Sequence, residues 1–150
     1  MAGQELEMRE ALERLAETDG GRRLLQLSLR SIEAGDHELV SGCWTRKGDA
    51  GCLFQHAYWQ GVADGVFADD GRVRAWVSGV AGRQAYHRVI DVIAAFDRLA
   101  RAEYAVEQRR FGPPELDRER WRERVAALLV EVLGAGADRS SPAAEPALSA

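Results

Sequence analysis

Lysine is almost absent from this chain of 150 residues: Lys47 stands alone, and every other basic side chain is arginine. Alanine and glycine are abundant beside it. The imbalance reads as the codon bias of a GC-rich genome, so the arginine excess by itself does not indicate phosphate recognition. Cysteine is scarce too, with only Cys43 and Cys52. Two thiols in a cytoplasmic chain are expected to stay reduced rather than form a permanent disulfide. No run of about 18 apolar residues exists, which excludes a membrane-spanning helix. The stretch Met1–Glu10 has no basic segment followed by an apolar one, so no signal peptide is expected and a cytoplasmic location follows. Basic charge is also in deficit, 20 residues against 24 acidic ones for a net −4, which argues against a general nucleic-acid binder. There is no CxxC pair, no internal repeat and too little strand-like alternation for a sheet.

What is present is helical periodicity broken by glycine. With 46% apolar residues the chain can bury a core without staples. Residues 4–17 carry a stripe of Leu6, Met8, Ala11, Leu12 and Leu15, and Thr18 to Gly21 breaks it. A second helix is predicted over about 21–34, with Gly35 as its stop. Asp36 is a candidate cap for a short turn through Val40, and Ser41–Gly51 reads as a loop. Asp49 is then the candidate cap of a helix over about 50–67. "ADDGR" is a turn, and Val73–Val80 is either a short helix or an extended connector. A long helix spans about 84–110, its apolar arc holding Tyr86, Val89, Ile90, Val92, Ile93, Phe96 and Ala100. "FGPPELD" ends it. The last helix, about 115–133, turns Trp121, Val125, Leu128 and Val132 inward and stops at Gly134. The fold class is all-α: a compact bundle of about five helices around a central buried helix, in a single domain 1–134. Residues 135–150 are too poor in large apolar groups to order, and read as a disordered tail.

The chemistry concentrates in "GCWTRKGDAGCLFQHAYWQG", residues 42–61, which hold both cysteines, His56 and two of the four tryptophans. On a helix over 52–67 apolar side chains surround the axis, as in a buried element. The row Leu53, Ala57, Gly61, Gly65 shrinks along its length and admits a close neighbour, a helix or a ligand. The remaining row, Cys52, His56, Gln60 and Asp64, is polar. If buried, its members need partners; if not, they are a wetted edge.

Several functions compete for these residues. Cys52 and His56 at i, i+4 share one helix face, and Cys43, with His37 as a possible fourth ligand, completes a zinc-type set. Against it, C-x8-C-x3-H is not a familiar zinc spacing, and a buried cysteine is often only a small core group. Cys43 and Cys52 across a glycine-rich loop also suggest a thiol redox sensor, with Arg46 and Lys47 available to lower a thiol pKa. An enzyme would use His56 or His87 as base and a cysteine as nucleophile, but no catalytic order is readable. Asp97 falls inside the apolar arc of the long helix, with Glu103 near its other side, and a carboxylate there needs a cation, a donor or a metal. His87 lies on the polar face. The arginines of 109–124 alternate with Glu119 and Glu123 and read as a salt-bridged, solvated face rather than a DNA-binding one. The reading carried forward is a non-enzymatic protein-interaction or regulatory module, homo-oligomeric, whose partner is a protein or a second copy. The alternative is a zinc-type metal protein or a redox sensor.

Overall fold

The computed structural model describes residues 2–41, 46–47, 50–107 and 114–140. Among them the chain is mainly helical, with α1 (Ala2–Ala16), α2 (Asp19–Ala34), α3 (Leu53–Ala63), α4 (Val73–Ala81), α5 (Tyr86–Glu107) and α6 (Pro114–Ser140). The all-α expectation holds, with one helix more than the five expected, because 73–81 is a helix rather than a connector. No helix among the described residues is long and apolar enough to cross a membrane.

Helix α1 forms on the spacing of Met8, Ala11, Leu12 and Leu15, all at most 2% exposed. It is joined to α2 by one residue that serves both ends. The Thr18 hydroxyl donates to the Leu15 carbonyl (3.1 Å) and accepts from the Gly21 amide (3.0 Å). Gly20 and Gly21 therefore lie inside the first turn of α2, not in a break before it. Their task is close approach: a Cβ on Gly20 would lie 1.9 Å from the carbonyl oxygen of Val80 on α4. At its far end α2 stops as expected, with Gly35 left-handed (φ 75°) and its amide on the Ser31 carbonyl.

Residues 38–51 depart from the sequence expectation. In place of a helical turn and a loop there is a miniature sheet of β1 (Glu38–Leu39), β2 (Arg46–Lys47) and β3 (Ala50–Gly51), in the order β1-β3-β2. β1 and β3 run parallel, and β2 is antiparallel to β3. Two-residue strands are too short to show the alternation by which strands are recognised. Asp49, the expected cap of the next helix, lies outside the described residues. The actual N-cap is Cys52, in extended conformation and without a side-chain capping bond.

Helix α3 is shorter than the predicted 50–67. From Leu53 to Tyr58 no side chain is more than 2% exposed, so the first turns are buried on every side. Asp64 caps the end, and Gly65 (φ 75°) takes the left-handed position. Phe67 folds back over Gly61, where a Cβ would lie 2.1 Å from its ring. At Gly61 the room is thus taken by the chain's own return, while Gly65 has open space around it. Tyr58 secures that return: its hydroxyl donates to the Ala68 carbonyl (2.9 Å) and accepts from the amides of Asp70 (3.0 Å) and Gly71 (2.8 Å).

α5 lays Val89, Val92, Phe96 and Leu99 against the core, while Ile90, expected inside, is 39% exposed. In α6 Trp121 turns inward against Phe96, ring centres 5.1 Å apart. α6 continues past Gly134 to Ser140, beyond the expected stop; residues 141–150 of the expected tail lie outside the described residues. Its arginines act mainly between elements rather than along the helix. Arg118 pairs with Glu38 (3.0 Å), Arg124 with Glu5 (3.6 Å) and with Glu103, and Arg122 donates to the Ile32 carbonyl at the end of α2 (3.3 Å). Arg88 likewise donates to the Arg14 carbonyl near the end of α1 (2.8 Å), and Arg22 to that of Leu133 (3.0 Å).

Candidate functional site

The polar row on α3 changes character along its length. Cys52 and His56 are buried at 2% and 0% exposure, Gln60 is half-buried and Asp64 exposed. At the outer end Gln60 donates to Asp64 (2.9 Å), and Arg30 of α2 grips both Asp64 oxygens at 2.7 and 3.2 Å. That half is a closed surface pair.

At the buried end α2 supplies two serines that sequence reasoning passed over. Ser28 donates to the Leu53 carbonyl (2.9 Å), and Ser31 lies 2.9 Å from His56 Nδ1. The signal was present in their i, i+3 spacing on the same face as Leu24 and Ile32, a polar pair pointing into the core. His56 Nε2 is 2.9 Å from the Glu38 carbonyl of β1. A carbonyl only accepts, so Nε2 carries the hydrogen and Nδ1 accepts from the Ser31 hydroxyl. The ring is neutral. Burial pushes its pKa from 6.5 to about 4, the bond to Glu38 opposing this in part and the neighbouring His37 ring adding to it.

Both nitrogens of His56 are therefore committed, and it binds α2, β1 and α3 together. A metal would have to displace Ser31 or Glu38 from it. His37 does come close, its ring centre 6.3 Å from that of His56, but it stacks on Trp59 at 3.8 Å with the planes 14° apart. Trp59 in turn meets His56 edge-on at 5.2 Å. Among the described residues no group of three or more His, Cys, Asp or Glu side chains is placed to hold a metal. Cys43, on which the zinc set and the redox pair both depend, lies outside the described residues. His87 is exposed, as expected. Asp97 is half-buried rather than sealed in the core seam, and Glu103 meets Arg124 of α6.

The accessible feature beside this cluster is a cleft of about 470 Å³ between the end of α2 with β1 and the flank of α6. Asp36, His37 and Glu38 line one side, Arg118, Glu119 and Arg122 the other. Glu38 bonds to Arg118 across it, and Glu119 stands 3.9 Å from Arg122. The Nδ1 atom of His37 is enclosed and makes no hydrogen bond. The cleft is thus a bed of opposed charges with an excess carboxylate, Asp36, and an unused imidazole nitrogen. Compared with known proteins, the chain matches no family model, no curated protein and no solved structure.

Proposed function

We propose that the chain is a non-enzymatic interaction module whose cleft between β1 and α6 receives an arginine or lysine side chain from a protein partner. The observation carrying this is the charge and hydrogen-bond balance of the cleft. Its three carboxylates face two guanidinium groups, and His37 Nδ1 makes no hydrogen bond. A basic side chain supplies the positive charge that the cleft lacks, with Asp36 as its counter-ion. The overall net charge of −4 favours the approach of a basic partner in the same sense. A non-catalytic role suits His56, whose nitrogens are bound to Ser31 and Glu38. A second copy of this arginine-rich chain has the required chemistry, so self-association is one form of the proposal. A cytoplasmic setting belongs to the same reading and rests on the sequence alone.

Sedimentation at micromolar concentration, for the parent and for Asp36→Arg, tests both forms. A dimer lost on charge reversal identifies a second copy as the occupant. A monomer that binds an arginine-rich peptide, but not a glutamate-rich one of equal length, identifies another protein; Asp36→Arg must then abolish binding. A monomer indifferent to both peptides overturns the proposal.

A further inference from the structure

A second cavity, of about 700 Å³, is lined by Gln55 of α3 and by the start of α4. Gln55, Arg72, Arg74 and Ser78 contribute to its wall. The turn of α4 that opens onto it lacks a side-chain cap. Arg72 is the N-cap, and its own amide is held by Asp70 Oδ1 (3.0 Å). The first backbone bond of the helix runs from Trp76 to the Arg72 carbonyl (3.1 Å). The amides of Val73, Arg74 and Ala75 therefore lack intrahelical acceptors, as at any uncapped helix start. A helix start alone would mean little. Here the same cavity has Gln55 in its wall: the residue is 1% exposed, and its Nε2 is enclosed with no hydrogen-bond partner. An amide donor buried without an acceptor is costly, and an acceptor arriving from outside would relieve it.

Gln55 Nε2, the first-turn amides, two guanidinium groups and the Ser78 hydroxyl are all able to donate. Arg74 is already directed, its Nε bonded to the Tyr86 hydroxyl at 3.0 Å, which leaves its terminal nitrogens for another acceptor. Of the two carboxylates at this turn, Asp69 and Asp70, neither is part of the cavity wall, and Asp70 has its Oδ1 occupied by the Arg72 amide and by Trp76 Nε1 (3.0 Å). We infer that this cavity binds an oxyanion, the phosphate group of a small phosphorylated molecule, with Gln55 Nε2 and the first turn of α4 as the donors. The cavity exceeds a bare phosphate ion and falls in the range of small-molecule sites, leaving space for the body of the ligand over Val73 and Ala75.

The test is calorimetric titration with inorganic phosphate and with phenyl phosphate, on the parent chain and on Gln55→Leu. Leucine keeps the bulk and removes the orphaned donor, so the variant should fold at least as stably as the parent. Phosphate should bind the parent, phenyl phosphate more tightly, and Gln55→Leu should weaken both by about tenfold. Arg72→Ala, a change at an exposed side chain, should weaken them as well while leaving the unliganded melting temperature in place. Equal binding of phosphate to the parent and to Gln55→Leu, or no binding to a folded parent at about 10 mM, overturns the inference.

Discussion

Acid should unfold this protein through His56 before it does so through its carboxylates. The ring is enclosed and neutral, with its pKa pushed from 6.5 to about 4. In the unfolded chain it returns to 6.5, so between those values the unfolded state holds a proton that the native state does not. Stability then rises with pH across that window and is lost as pH falls through it. At its steepest the loss is about 1.4 kcal/mol per pH unit. Integrated between pH 7 and pH 5 it comes to about 2 kcal/mol, flattening only below pH 4. His56→Gln is the matched control, because its amide can still donate to the Glu38 carbonyl while carrying no titrating group. The assay is the urea midpoint of both chains at intervals from pH 7 to pH 5. Carboxylates, His37 and His87 remain in both, so the difference between the chains isolates His56. The parent should begin the more stable of the two and forfeit that advantage by about 2 kcal/mol as pH falls. A difference that stays constant over the range would refute the account of a buried neutral ring.

Other expectations bear on packing. Tyr58→Phe removes the hydroxyl that serves Ala68, Asp70 and Gly71, and should cost about 1–3 kcal/mol in chemical denaturation. The loss should be accompanied by faster amide exchange at Asp70 and Gly71; unchanged exchange there would contradict the role given to Tyr58. Gly20→Ala sets a methyl against the Val80 carbonyl, and should lower stability by about 1–3 kcal/mol or more as α2 and α4 are forced apart. Gly79→Ala on the open side of α4 meets nothing within 4 Å and should raise stability by about 0.5–1 kcal/mol, as read from paired thermal melts.

The sequence makes the helices legible wherever periodicity runs long, as in α1, α5 and the inner face of α6 from Trp121 to Val132. It also marks Gly35 as a stop, because the left-handed position favours glycine. The site was only half legible. Cys52, His56, Gln60 and Asp64 share a helical spacing, yet nothing in that spacing tells that Arg30 covers one end and Ser31 the other. Both partners come from α2, 25 to 34 residues earlier. The miniature sheet that supplies the Glu38 carbonyl was not readable at all, since strands of two residues have no period. Glycine misled in three places, for two reasons. Gly20 and Gly61 carry no side chain because something else occupies the space, whereas Gly134, with nothing within 4 Å, simply continues a helix that its type would be expected to end.

The arginine links described above give the composition a second meaning. Arg88 reaches both the Arg14 carbonyl and Glu17, and Arg122 reaches the Ile32 carbonyl while standing near Glu119. Arg88 meets both acceptors through Nη1, whereas Arg122 uses both branches of the guanidinium fork, Nη1 on the carbonyl and Nη2 toward the carboxylate; in each case one partner is a backbone oxygen near the end of another helix. A lysine ammonium at the same place is a compact, strongly hydrated point charge and does not reproduce that fork. A preference for arginine over lysine is in this way hard to reverse. Drift back toward lysine would be neutral over much of the surface, but not at the positions where one helix is tied to the end of another.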